Sequence, residues 1–129
     1  MKFNNLVPML AVQNVGKSFE FYQATLGFDV VNSREDNGEM NWCMLKSHHA
    51  LLMLMKSGDL DRLQTSPRGP EAILYFYPDN AEELYVSLQS AGYPVSEMRV
   101  SQYGMAEFEI RDPDGYWLWF GQAAIRPSE

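Results

Sequence analysis

The second half of this chain repeats the first at a spacing of 65 residues, and nothing else in the sequence constrains the fold as strongly. Leu10–Val30 (LAVQNVGKSFEFYQATLGFDV) lies over Tyr75–Val95 (YFYPDNAEELYVSLQSAGYPV), with Val12 over Tyr77, Asn14 over Asp79, Gly27 over Gly92 and Phe28 over Tyr93. Carried on without a gap, the same offset sets Met40 on Met105, Leu45 on Ile110 and Met55 on Phe120. The offset is half of the 129-residue length, so one supersecondary unit is used twice. A solenoid would need about three or more such units.

Each copy reads as βαβββ. In the first, Leu6–Val12 suits a strand with Pro8 near its start or on an edge. Asn14 is an N-cap ahead of Val15, Phe19, Tyr22 and Leu26 at helical spacing, and Gly27 ends the helix. Strands Phe28–Ser33, Asn41–Lys46 and Ala50–Met55 follow, separated by the turns Asp36-Asn37-Gly38 and Ser47-His48-His49. The second copy has a strand at Ala72–Tyr77, a helix capped by Asp79 or Asn80 and ended by Gly92, then strands near Val95–Val100, Met105–Arg111 and Tyr116–Gly121. The fold class is α+β, with one domain over residues 1–129, modules at about 6–56 and 71–121, and a linker at about 57–70 rich in Gly, Pro, Ser and Asp.

Charge and cysteine content narrow the partners. A net charge of −7 argues against nucleic acid or an anionic membrane surface, both of which select for basic patches. An apolar share of 46% suffices for a packed core, and 21% charged residues argues against disorder. The single Cys43 excludes an internal disulfide and fits a reducing compartment. With neither a secretion signal at the amino terminus nor a membrane-spanning run, a cytoplasmic location is expected. The final IRPSE reads as a short polar tail.

Two strands, Ala50–Met55 (ALLMLM) and Tyr116–Phe120 (YWLWF), lack a polar face, although one apolar face would cover a helix. The second face meets another sheet, a dimer partner or a closed core, or it lines an apolar pocket. The residues SFEFYQATLGF from Ser18 and YGMAEFEIRDPDGYWLWFGQ from Tyr103, within paired βαβββ modules, resemble the vicinal oxygen chelate superfamily of glyoxalase I, extradiol dioxygenases, fosfomycin resistance proteins and bleomycin resistance proteins. The resemblance covers nearly the whole chain. It implies a curved mixed sheet around a cleft, often closed by a second subunit, so a homodimer is expected.

Metal-dependent members of that superfamily place His, Glu or Gln ligands near the start of the first strand and late in the last strand of each module. Those positions correspond to Val7 and Leu54 in the first module and Ala72 and Trp119 in the second, none of which can coordinate a divalent ion. The resemblance therefore implies the metal-free, bleomycin-resistance-like branch, with neither metal nor other cofactor. His48 and His49 are adjacent in a turn, and Cys43 reads as a small buried residue. The superfamily's metal-dependent lyase and dioxygenase activities are not expected.

The strand Ala106–Arg111 alternates, with Ala106, Phe108 and Ile110 on one face and Glu107, Glu109 and Arg111 on the other. If the apolar face covers the helix, the expected ligand-binding lining is Trp42, Met44, Phe76, Tyr103, Glu107, Glu109, Arg111, Trp117 and Trp119. The carboxylates could equally face solvent at an open sheet, and pairing with Arg111 or Lys46 is open. Burying about 250 Å² of ligand would contribute about 6 kcal/mol, and stacking about 0.5 to 1.5 kcal/mol per aromatic pair. Micromolar affinity, about 8 kcal/mol, is then within reach without a metal. Three functions fit: reversible binding of a small aromatic drug or metabolite, cations included, which leads; a metal-free enzyme with Glu107 or Glu109 as acid/base; or a pure interaction subunit whose cleft is filled by its own side chains.

Overall fold

The computed structural model describes residues 1–59 and 72–124, and the chain forms two compact units, Met1–Gly69 and Pro70–Glu129. Most of the expected linker and the IRPSE tail lie outside the described residues.

The first unit contains β1 (Met9–Val12), α1 (Val15–Leu26), β2 (Asp29–Asp36), β3 (Glu39–Ser47) and β4 (Ala50–Lys56) in one sheet of order β1-β4-β3-β2. Only the β1–β4 pair is parallel, because α1 carries the chain across the sheet between them. β1 is shorter than its apolar run. Pro8 has no N–H to give to the ladder, but its carbonyl accepts from the Met53 amide at 2.8 Å. The Asn14 side chain accepts from the Lys17 amide at 3.0 Å, and Gly27 ends the helix at φ +73°. Asn37 (φ +52°) and Gly38 (φ +77°) make the left-handed turn between β2 and β3. Leu10, Val12, Cys43, Leu45, Leu52 and Leu54 are buried with Val15 and Tyr22 of α1.

The second unit contains β5 (Leu74–Phe76), α2 (Ala81–Ser90), β6 (Arg99–Val100), β7 (Met105–Arg111) and β8 (Trp117–Ala123), with sheet order β5-β8-β7-β6. Asn80, rather than Asp79, is the N-cap of α2, and its side chain accepts from the Glu83 amide at 3.0 Å. The Gln122 side chain of β8 accepts from the Ala81 amide at 2.7 Å and so ties the helix start to the sheet. The core is aromatic. Phe120 stacks between Phe108 at 5.0 Å and Phe76 at 5.4 Å, and Tyr85 of α2 meets Phe108 edge-on at 5.2 Å.

The two copies do not keep one offset. Asn14 and Asn80, the two N-caps, are 66 apart, as are Val15 and Ala81, the first residues of the helices. Gly27 and Gly92 are 65 apart, because α2 is two residues shorter than α1 and Ala91 intervenes before Gly92. On β4 and β8 the offset returns to 66: Cys43 pairs with Leu54 where Phe108 pairs with Phe120. The cause is the longer connection after β7, five residues between the paired Arg111 and Trp117 against four between Lys46 and Leu51. In a strand, a shift of one residue changes the face of every side chain.

Candidate functional site

The slip corrects two of the expected positions. Leu54, assigned with Trp119 to the vacant metal site, is 0% exposed and belongs to the helix-packed core, and Met53 is the true counterpart of Trp119. Phe76, expected in the lining, lies on the helix side against Phe120. Val7 and Ala72 precede β1 and β5 rather than lying on them, and Ala72 is exposed.

On the face of the second sheet that points away from α2, the structure brings together five of the expected residues. Trp117 and Trp119 sit two apart on β8, opposite Arg111 and Glu109 of β7, and Glu107 lies opposite Gly121. A cavity of about 310 Å³ is lined by Ile73, Glu109, Trp117 and Trp119, a size suited to a small ligand. The Arg99 guanidinium pairs with Glu109 at 2.6 Å and lies 5.0 Å from the Trp119 ring centroid. The bond to Glu109 raises the Arg99 pKa further above its ordinary value. The Arg111 guanidinium stacks on Trp117 at 3.7 Å and donates to the Gly115 carbonyl at 2.7 Å.

Beside the cavity, Glu107 is only 2% exposed and one of its carboxylate oxygens accepts from two phenols, Tyr75 at 2.7 Å and Tyr103 at 2.6 Å. Tyr103 was expected in the lining; its body is 67% exposed and its hydroxyl is what reaches inward. Burial raises the Tyr75 pKa well above the tyrosine value, and the Glu107 carboxylate adds to the effect. The hydrogen bond to Glu107 likewise raises Tyr103. The Tyr75 ring crosses directly over Gly121, where any Cβ would overlap the phenol. Both carboxylates of this face thus already have partners, Glu107 by hydrogen bonds and Glu109 by the ion pair, its buried Oε2 lying outside hydrogen-bond geometry.

Sequence reasoning missed Ile73, Tyr75 and Arg99. An offset of 66 would have matched Ile73 with Val7, and so placed it among the superfamily's ligand positions. Tyr75 needed the absence of a side chain at Gly121, whose role in a strand shows only when the neighbouring strand is in place. Arg99 sits on a two-residue strand with no periodicity to read.

Trp42 and Met44, also expected in the lining, are on the face of the first sheet away from α1, opposite Met55 and Met53. Cys43 is on the helix side, and burial pushes its thiol up to about 11, so it is neutral near pH 7. His48 and His49 form the exposed turn between β3 and β4. The superfamily's divalent ion does not fit this donor set: Met53 and Trp119 offer no oxygen or imidazole, while Glu107 and Glu109 are engaged by phenols and a guanidinium. Among the described residues no three His, Cys, Asp or Glu side chains cluster. No described helix is long and apolar enough to cross a membrane.

Comparison with curated proteins gives no significant sequence match. Among solved structures, the chain resembles TioX from Micromonospora sp. ML1, at 14% identity over 93% of this chain and 98% of the other, with a TM-score of 0.77. TnmS3, an antibiotic binding protein from Streptomyces sp. CB03234, matches at 22% identity over 96% and 99%, with a TM-score of 0.75. A bleomycin resistance determinant encoded on the transposon Tn5 matches at 21% identity over 95% and 100%, with a TM-score of 0.70. These likenesses establish the fold. The family model matches residues 3–120, so with its paired βαβββ units the chain belongs to the glyoxalase/bleomycin resistance protein/dioxygenase superfamily.

Proposed function

We propose that this protein reversibly binds a small planar aromatic molecule, a drug or a metabolite, in the cytoplasm and without a metal. The carrying observation is the pair Trp117 and Trp119 on the wall of the 310 Å³ cavity, whose rings already serve as stacking platforms for Arg111 and Arg99. The antibiotic-binding and bleomycin-resistance functions named for two proteins of the same fold support the reading. The acid/base alternative has less support, because Glu107 and Glu109 are each held by other side chains of the site.

Binding should quench tryptophan fluorescence, and Trp119→Ala should weaken a bound aromatic ligand by more than about tenfold, the equivalent of about 1.4 kcal/mol. Affinity unchanged in that variant would refute the assignment. Treatment with chelator should leave binding unaltered. The proposal includes a homodimer, supported by Met1, Phe3, Leu6 and Met9, apolar side chains left exposed at the amino-terminal end of the first unit. Sedimentation as a strict monomer at micromolar concentration would remove that part alone.

A further inference from the structure

Along β7 the face away from α2 presents three ionic side chains in a row, and their partners differ. Glu107 is covered by the phenols of Tyr75 and Tyr103, and Glu109 is neutralised by Arg99. Arg111 has no carboxylate partner among the described residues. It stacks on the Trp117 ring at 3.7 Å and donates to the Gly115 carbonyl at 2.7 Å, and its side chain is exposed.

Those two contacts fix the plane of the guanidinium while using only part of its donor set. The turn after β7 is built to do this. Asp112 accepts from the amides of Asp114 and Tyr116 at 2.9 and 2.8 Å, which closes the turn, and Gly115 at φ +90° turns its carbonyl toward Nη1. The result is a cation held flat against Trp117, a wall residue of the cavity, with its remaining donors open to solvent.

The positions where a ligand cation would gain most are taken by the chain itself. Arg99 lies over Trp119 and on Glu109, so a cationic ligand would first have to displace it. An anion meets no such competitor at Arg111. Resting on the small-molecule reading above, we infer that the ligand is a planar aromatic acid, with its ring against Trp117, Trp119 and Ile73 and its carboxylate on the free edge of the Arg111 guanidinium. Carboxylate is the group that the flat fork of a guanidinium matches best.

The test uses three probes with one ring system: 2-naphthoate, 2-naphthamide and 2-naphthylmethylammonium, titrated by tryptophan quenching and thermal shift at one ionic strength. The acid should bind at least about tenfold more tightly than either of the others. Arg111→Met should reduce that preference to less than about threefold by weakening the acid while leaving the amide nearly unchanged. Arg111→Lys, which keeps the charge but loses the flat stack, should fall between, and it serves if the Met variant does not fold. Binding of the amide or the amine as tightly as the acid overturns the acid inference and leaves the small-molecule reading intact, as does a preference that survives Arg111→Met. Failure of all three probes to bind overturns both.

Discussion

The two sheets have the same strand order and the same kind of helix on one face, yet the faces away from the helices carry different chemistry. In the first unit that face holds Met9, Ala11, Met40, Trp42, Met44, Leu51, Met53 and Met55, with Lys46 at one end. Thioethers dominate it, and they adapt to irregular neighbours without directing polar groups. In the second unit the corresponding strands present Tyr75, Arg99, Glu107, Glu109, Arg111, Trp117 and Trp119, joined by a hydrogen bond, an ion pair and stacking. The helix-packed core is apolar in both, with Gln122 of β8 the polar side chain that reaches the start of α2. A buried face must satisfy packing at close to crystal density, which limits its residues to apolar types of the right volume. The other face has no such demand and could diverge.

The largest test of this comparison concerns the faces themselves. Leu54→Ala should cost about 2–5 kcal/mol in urea unfolding, because it empties a packed core position, and Met53→Ala should cost less than half as much. Equal losses would mean that the slip between the copies is wrong. In the second unit, Gly121→Ala should destabilise by about 1–3 kcal/mol, since the new Cβ drives the Tyr75 phenol off Glu107. In a Tyr75→Ala background the same Gly121→Ala change should cost little, and an equal loss in both backgrounds would show that the clash lies elsewhere.

Binding separates the two faces further. Trp119→Ala is expected to weaken an aromatic ligand by more than about tenfold, and Trp42→Ala by less than about threefold, if the second sheet is the platform. Comparable weakening by both would show that the second sheet alone is not the platform. The smallest effect is alkaline. Tyr75 holds its proton more tightly folded than unfolded, so stability is complete below its ordinary value of 10.0 and falls as pH rises above it. Glu107→Gln removes one of the causes of that raised value and should shrink the alkaline loss. An unchanged onset of tyrosinate absorbance as pH is raised, comparing folded Glu107→Gln with its parent in a Tyr103→Phe background, would show that Glu107 does not act on Tyr75.

Much of the site was legible from alternation alone. Period-two patterning in MAEFEIR assigns Glu107, Glu109 and Arg111 to one face, and the apolar excess in YWLWF flags Trp117 and Trp119 as residues with something to cover. What failed was transfer between copies. Phe76 and Leu54 went to the wrong faces because a gapless offset cannot register a shorter helix and a longer turn. In both cases a single residue changed the answer.

The amino-acid sequence by itself determined the doubled βαβββ order, the capped helices, the Asn-Gly turn and the glycine-ended α1, since these depend on residues within a few positions of one another. It also determined that the two late strands carry more apolar surface than one helix can cover. Tertiary structure alone decided which side chains meet: Tyr75 and Tyr103 on one oxygen of Glu107, Arg99 on Glu109, and Arg111 left with donors over Trp117. Those contacts join residues that are distant in the chain or separated by a turn. Strand register sets which of them share a face, and register depends on turn length and on the packing of the opposite face, neither of which local propensity encodes.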